Sequence, residues 1–120
     1  MDCSGRRRLA IMVSIARGEV WLVELDPTVG SEIKKTRPAV VVSNDSANQF
    51  GPRVVVVPVT SNVSRNFPGD ALVSIAGRQG RALGDQLRSL DKARLLRCVG
   101  KLPADELRAV DEALRITLGL

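Results

Sequence analysis

The chain has 120 residues, enough for one domain with a sizeable core, because 44% of them are hydrophobic. It contains no histidine, which excludes histidine general acid–base catalysis and His-containing metal sites, and its two cysteines form no CxxC pair. The net charge of +5 favours a polyanionic partner such as nucleic acid.

The first sixteen residues differ from the rest of the chain. Arg6–Arg8 precede the apolar stretch Leu9–Ala16, an arrangement like that of a short signal peptide. This stretch is too short to span a membrane, and it runs almost directly into a predicted strand. We therefore interpret residues 1–16 as a flexible, dispensable extension with an internal translation start at Met12. Residues 17–120 form the predicted domain, and we expect a cytoplasmic location without membrane contact.

Turn signals divide the domain into six predicted strands. They are Glu19–Leu25, Arg37–Ser43, Arg53–Thr60, Asp70–Ile75, Arg81–Leu90 and Leu95–Leu102. The second and third strands contain valine runs without polar alternation, so we expect both of their faces to be covered. Pro58 lacks a backbone donor, which predicts an edge or a bulge near the end of the third strand. Single helical turns are predicted after Asn44 or Asp45 and over residues 91–94.

A terminal helix ends the predicted domain. Pro103 suits its first helical position, and Asp111 and Arg115 are spaced to form an ion pair. Its apolar residues recur at helical spacing and form one stripe: Leu107, Val110, Leu114 and Leu118. Short strands followed by one terminal helix predict a mainly β fold, a small β-barrel with a C-terminal α-helix.

Three polar clusters lie where predicted strands meet loops, which is where a scaffold commonly presents functional groups. They are Ser31, Glu32, Lys34, Lys35 and Arg37; Thr60, Ser61 and Asn62; and Asp85, Gln86 and Arg88. Taken singly, such residues are more often structural than catalytic, since a solvated loop, a strand end or a turn acceptor accounts for each.

Taken together, the three clusters fit the cleavage of RNA by its own 2′-hydroxyl. This reaction needs a base for the hydroxyl, a cation for the phosphorane charge and an acid for the leaving oxygen. Arg37 suits the cation, because Pro38 holds it extended at the mouth of a core strand. Thr60 suits a hydrogen bond to a phosphate oxygen, and Glu32 suits the base. No metal or other cofactor is required, and the sequence contains no P-loop, dinucleotide-binding, nucleophile-elbow or zinc motif.

Five motifs follow one another with a specific order and spacing across the domain. They are Arg17–Trp21, Asp26–Glu32, Arg37–Val42, Val57–Ser61 and Asp85–Leu90. On these motifs the chain from Arg17 to Leu120 resembles the MazF/PemK family, sequence-specific endoribonucleases that act as toxins of type II toxin–antitoxin systems.

The resemblance implies an SH3-like β-barrel that forms a homodimer. It also implies metal-independent cleavage of single-stranded RNA to 2′,3′-cyclic phosphate and 5′-hydroxyl ends, which inhibits translation and growth. Arg37 and Thr60 match the principal catalytic pair of the family, and Glu32 matches an acidic position that contributes in some members. The implied partner is a MazE-like antitoxin whose acidic C-terminal tail covers the RNA groove.

Further positions match residues that contact RNA in relatives. They are Ser31, Asn44, Ser61, Asp85 and Gln86. The segment Lys34-Lys35-Thr36 departs from some relatives, which have Gly-His or Gly-Gly before the arginine. We expect Lys34 and Lys35 to bind RNA phosphates.

Two other functions remain open at this point. CcdB-type toxins use the same fold to poison DNA gyrase without cleaving RNA. The Arg37 and Thr60 motifs argue against this function, because a gyrase binder has no use for them. The second alternative is a non-catalytic RNA-binding module. Such modules stack bases on aromatic side chains, and the chain has only Trp21, Phe50 and Phe67.

Overall fold

The computed structural model describes residues 14–25, 36–65 and 67–120. Within these ranges the chain forms seven strands, two α-helices and two short 3₁₀ turns. The strands are β1 (Glu19–Glu24), β2 (Thr36–Val41), β3 (Arg53–Thr60), β4 (Asp70–Ile75), β5 (Arg78–Leu83), β6 (Arg88–Asp91) and β7 (Leu95–Lys101). The helices are α1 (Asp45–Phe50) and α2 (Ala104–Leu118), and the 3₁₀ turns are Gly84–Gln86 and Lys92–Arg94.

The described strands form one antiparallel sheet in the order β4-β5-β3-β2-β1-β7, with β6 also paired to β3. The central strand is β3, which pairs with β2 along one edge and with β6 and then β5 along the other. The end strands β4 and β7 contact each other, so the sheet curves into a half-barrel. The predicted mainly β barrel with a C-terminal helix is therefore confirmed.

Alternate residues of the valine runs enter two apolar clusters on opposite faces of the sheet. The first cluster includes Trp21, Val23, Ala39, Val41, Val54, Val56 and Leu90. The second includes Val20, Val40, Val57, Val59, Val73, Val110 and Ala113, the last two from α2. Full burial of one such side chain contributes about 1.5–3 kcal/mol. The prediction that both faces of β2 and β3 are covered is confirmed.

Most predicted elements lie where the sequence placed them, but the continuous strand predicted over Arg81–Leu90 is wrong. The 3₁₀ turn Gly84–Gln86 interrupts it and separates β5 from β6. The Gly84 N–H donates to the carbonyl oxygen of Gly69 at 3.0 Å, one step beyond the last β4–β5 pair, and a Cβ at Gly84 would collide with that oxygen. The chain therefore turns where its pairing with β4 ends.

Pro58 lies in the central strand, opposite Ala39, rather than at an edge or a bulge of the sheet. On the side of β3 away from β2, the ladder with β6 ends at Val56 and the ladder with β5 begins at Val59. A backbone donor at position 58 therefore has no strand partner on that side, which is how a central strand tolerates the proline.

The terminal helix begins one residue later than predicted, with Pro103 as its N-cap. Leu107, Val110 and Leu114 pack into the second cluster, as the apolar stripe predicted. Leu118 is exposed, so the stripe ends one turn earlier than predicted. No helix in the described part of the chain is long and apolar enough to cross a membrane.

Arg17 connects three separate parts of the domain. Its backbone N–H donates to Asp45 Oδ1 at 2.7 Å, and its Nε donates to the carbonyl oxygen of Val42 at 3.0 Å. Its guanidinium pairs with Asp111 of α2 at 2.5 Å. Because Asp111 is engaged here, the predicted ion pair between Asp111 and Arg115 is wrong.

The residues after Arg17 are buried and fully integrated into the fold. Gly18 has a φ of 91°, a value that favours glycine, and its carbonyl accepts from the Leu102 N–H at 2.9 Å. Glu19 is fully buried, and its Oε1 accepts from Ala16 N–H at 2.9 Å and from Trp21 Nε1 at 3.0 Å. We call Arg17–Trp21 the N-terminal anchor, since it joins β1 to α1, β2 and α2.

Ile15 lies two residues before the predicted start of the domain and is buried in the first cluster. Residues 1–13 lie outside the described part of the chain. The extension predicted over residues 1–16 stays a prediction.

Candidate active site

Arg37 lies at the start of β2, half-buried, where the sheet meets the surface. It pairs across the sheet with Val23 of β1. Because side chains alternate along a strand, Arg37 shares a face with Ala39 and Val41, which belong to the first cluster. The guanidinium therefore extends from a backbone that is fixed by a buried, two-sided strand.

The register of the sheet puts Thr60 and Arg37 at the same end of β2 and β3. The ladder between these strands ends with the pair of Ala39 and Pro58, and each of the two residues lies two positions beyond it. By alternation both side chains lie on the face that carries Ala39 and Val56. We call Arg37 and Thr60 the rim pair.

The Thr60 side chain is half-buried, and its hydroxyl oxygen is the acceptor of a hydrogen bond within the chain. Its Oγ1 accepts from the Asn62 N–H at 3.2 Å. The Asn62 Oδ1 in turn accepts from the Ser64 N–H at 3.0 Å and from its hydroxyl at 2.7 Å. A threonine hydroxyl that accepts one bond keeps its own O–H as a donor. Ser61 is exposed beside this turn.

Asp85 and Gln86 are exposed on the 3₁₀ turn that joins β5 to β6. This turn contacts β3, and the strand before it pairs with the last two residues of β3. The turn that carries Asp85 and Gln86 therefore lies beside β3 between the ladder of β5, which ends at Val59, and the ladder of β6, which ends at Val56.

Arg88 is a site residue to which the sequence assigned no individual role. It lies opposite Val56 in β6 and is half-buried. Alternation puts it on the same face as the buried Leu90 and Val56, which is also the face of the rim pair. The period-two spacing of Arg88 and Leu90 was the signal that would have identified it.

Asn44 does not join this group. It lies beyond the far end of β2, and its side chain accepts from the Ala47 N–H at 2.8 Å as the N-cap of α1. The predicted helix cap is confirmed, whereas the predicted RNA contact of Asn44 stays a prediction.

Four predicted site residues lie outside the described part of the chain: Ser31, Glu32, Lys34 and Lys35. Their predicted roles stay predictions. Glu24 and Thr36 pair with each other and lie next to Arg37, at the end of β1 and the start of β2.

The carboxylate of Asp45, at the opposite end of β2 from Arg37, is stabilised in its charged form. The pKa of Asp45 is lowered from its ordinary value of 3.8, first by the hydrogen bond from the Arg17 backbone and next by that from the Asn48 side chain. This carboxylate therefore stabilises the N-terminal anchor.

Within residues 14–25, 36–65 and 67–120, no group of three or more carboxylate or cysteine side chains is placed to hold a metal ion.

Comparison with known proteins gives the same family from sequence and from structure. A sequence model of the PemK-like, MazF-like toxin of type II toxin–antitoxin systems matches residues 16–118. The curated Endoribonuclease MazF9 of Mycobacterium tuberculosis (strain ATCC 25618 / H37Rv) is 47% identical over 113 residues, covering 87% of this chain and 96% of that protein.

Two solved structures from Deinococcus radiodurans share the fold. MazF (Form-I) matches with a TM-score of 0.78 at 29% identity, covering 91% of this chain and 100% of that chain. The MazF-like chain of the MazE–MazF structure (Form-II) matches with a TM-score of 0.75 at 29% identity, covering 91% and 99%. The chain therefore belongs to the family of PemK-like, MazF-like toxins of type II toxin–antitoxin systems.

Proposed function

We propose that this toxin is an endoribonuclease that cleaves single-stranded RNA at specific sequences and so inhibits translation and growth. The observation that carries the proposal is the rim pair. Arg37, which is always charged, and Thr60, which keeps a hydroxyl donor, lie at the same end of the central strands β2 and β3, and this supports the proposal. The 47% identity to a protein named as an endoribonuclease supports the same activity.

In the proposed reaction the RNA supplies its own nucleophile. The 2′-oxygen forms a bond to the adjacent phosphorus, and the bond from phosphorus to the 5′-oxygen breaks. Glu32 accepts the 2′-hydroxyl proton, and the leaving 5′-oxygen takes a proton from solvent while Arg37 donates a hydrogen bond to it. The products are a 2′,3′-cyclic phosphate and a 5′-hydroxyl.

Arg37 and Thr60 act on the charge that develops at phosphorus. The guanidinium offers two parallel donors to the equatorial oxygens of the phosphorane, and the Thr60 hydroxyl offers a third. Because both side chains extend from a rigid sheet, these donors need little reorganisation as the charge forms. One preorganised donor of this kind is typically worth about 10²–10³ in rate.

The exposed polar side chains around the rim pair are proposed to read the RNA. Ser61, Asp85 and Gln86 offer donors and acceptors to base edges, and Lys34 and Lys35 offer charge to phosphates. Ser31 and Asn44 complete the proposed contacts. Seven residues of extended chain span at most about 23 Å, so an RNA strand that follows β2 from Arg37 reaches Asn44 within that distance.

The proposed partners are a second copy of the chain and a MazE-like antitoxin in the cytoplasm. The D. radiodurans relative has been solved as a MazE–MazF structure. The net charge of +5 suits an acidic antitoxin tail as well as RNA.

Gyrase poisoning and RNA binding without cleavage are the less favoured functions. The first leaves the rim pair without a role. The second lacks a stacking platform in the described part of the chain, because Trp21 is buried at 4% exposure, while the exposed Phe50 and Phe67 lie on α1 and in a separate loop.

The test is cleavage of a fluorescent single-stranded RNA by the purified protein in EDTA. We expect cleavage, because the nucleophile belongs to the substrate and no metal is needed to generate one. The products should label at the 5′ end with a kinase without prior phosphatase treatment. Strict dependence on added magnesium, or 5′-phosphate products, would contradict the proposed chemistry.

A further inference from the structure

Arg81 is a buried arginine that the sequence did not single out. It lies in β5 and is 8% exposed. Its Nη1 donates to the carbonyl oxygen of Arg65 at 2.5 Å, and its Nε lies 3.4 Å from Asp70 Oδ2. Arginine is almost never buried to this extent unless it is paired. Here both groups that face it belong to the β3–β4 loop, residues 61–69, or to the residue that follows it.

Arg81 also lies next to the proposed catalytic threonine. It is the direct cross-strand partner of Thr60, in the ladder that holds the last two residues of β3. The backbones approach closely here, because a Cβ on the neighbouring Gly80 would lie 3.2 Å from the Thr60 carbonyl oxygen and 2.6 Å from Val59 Cγ1. Arg81 and Thr60 are therefore held side by side in closely packed neighbouring strands.

The contacts of Arg81 fix the loop at its middle and at its end. Besides facing Arg81, Asp70 Oδ2 accepts from the Phe67 N–H at 3.3 Å, and the Asp70 N–H donates to the Phe67 carbonyl at 2.8 Å. The start of the loop is fixed by the bond from the Asn62 N–H to Thr60 Oγ1. One side chain thus connects the strand that holds Thr60 to the loop that orients its hydroxyl.

We propose that Arg81 is a positioning residue for the RNA-cleaving site: it holds the β3–β4 loop so that the Thr60 hydroxyl and Ser61 face the substrate. This inference rests on the proposed function. A buried ion pair is a weak source of stability compared with apolar packing, and the surrounding strands are rich in valine. An arginine at this position is therefore explained by the geometry that it imposes on the loop.

The first test is Arg81→Lys. Lysine keeps the charge near Asp70 but lacks the planar fork that also reaches the Arg65 carbonyl. A displacement of about 1 Å in a catalytic group costs on the order of 10²-fold in rate. We expect kcat to fall by about 10–100-fold while KM for RNA changes by less than about threefold.

The decisive measurement is the double variant with Thr60→Ala. If Arg81 acts through Thr60, Arg81→Lys should lower the rate by less than about threefold once the Thr60 hydroxyl is gone. If Arg81→Lys lowers the cleavage rate of Thr60→Ala by the same factor as it lowers the rate of the wild type, the inference is wrong. Arg17→Lys is the matched control, since it weakens another paired arginine, one that contacts Val42 beyond the opposite end of β2, and its kcat should stay within about threefold of wild type.

Two further measurements separate the possible failures. If Arg81→Lys does not fold, the charge-free variant Arg81→Met with Asp70→Asn replaces it, and the same pattern of rates is expected.

If the wild-type protein does not cleave RNA, or if Thr60→Ala cleaves normally, the proposed function fails on its own. Amide exchange at Asn62 and Phe67 then decides the structural claim: exchange at least about tenfold faster in Arg81→Lys but not in Arg17→Lys supports it, and unchanged exchange overturns it.

Discussion

The N-terminal anchor and the rim pair each contain an arginine from a family motif, yet the two arginines have opposite surroundings. Arg17 uses its backbone and its guanidinium on Asp45, Val42 and Asp111. Arg37 lies half-buried at the start of β2, at the end of the sheet that also carries the Thr60 hydroxyl. Two arginines from family-like motifs therefore differ in their contacts: those of Arg17 join parts of the scaffold, whereas Arg37 is the one that we propose for chemistry.

The largest effect is expected at Arg37. Arg37→Ala removes both the charge and the paired donors, and we expect its cleavage rate to fall by at least about 10²–10³-fold with an unchanged circular dichroism spectrum. Arg37→Lys keeps the charge and should retain a small part of the rate. The measurement is cleavage of a fluorescent RNA. A folded Arg37→Ala that cleaves within a few-fold of wild type would make Arg37 an anchor like Arg17.

A change at Arg17 is expected to lower stability and to leave the cleavage rate nearly unchanged. Arg17→Ala should lower the free energy of unfolding by about 1–2 kcal/mol, because it removes a hydrogen bond and an ion pair whose side chains are 32% and 27% exposed and so partly screened. Its cleavage rate should remain within about threefold of wild type. Urea unfolding followed by the fluorescence of Trp21, which is buried and the single tryptophan of the chain, measures the change.

Arg108→Ala is the control for that measurement. Arg108 is exposed on the same helix that carries Asp111. Its replacement should change the free energy of unfolding by less than about 0.5 kcal/mol. Equal losses in the Arg17 and Arg108 variants would show that the anchor contributes nothing specific.

The smallest effect is expected at Asp45, whose pKa is below its ordinary value of 3.8 because the Arg17 backbone donates to it. The native state therefore favours the ionised carboxylate, and this stability is present above pH 4 or so and lost as the pH falls through the native pKa. Asp45→Asn should be less stable than wild type at pH 7, by below about 1 kcal/mol since the group is exposed, and the difference should shrink as the pH falls below about 4. A difference that does not change with pH would show that the charge of the carboxylate is not its source.

The sequence predicted the parts of the fold that local patterns determine. Alternation and valine runs placed β1, β3 and β4, and Asn44 was identified as a helix cap. The errors came from partners distant in the chain. The strand predicted through Gly84 turns where its pairing with β4 ends, and Asp111, which was predicted to pair with Arg115, pairs with Arg17.

For the candidate site, as for the fold, local patterns predicted one part and contacts between distant residues determine the other. The motifs identified Arg37 and Thr60 as residues, but only the antiparallel register of β2 and β3 puts them at the same end of the two strands. Arg81 lacked a recognised signal, because an arginine within a strand resembles an ordinary surface residue until its burial and face are known. Pairwise geometry between distant strands is the information that one sequence does not contain.

Pro58 favours the native alignment of β3 with its neighbouring strands. The valines on either side of it make β3 nearly repetitive, and a slip by two residues would return every valine to a face of the same kind. Such a slip would move Thr60 by about 7 Å along the sheet and away from Arg37. Only the native alignment puts the residue without an N–H at the gap between the β6 and β5 ladders. A misaligned chain would lose a ladder bond there, so the proline marks the one alignment in which the rim pair forms.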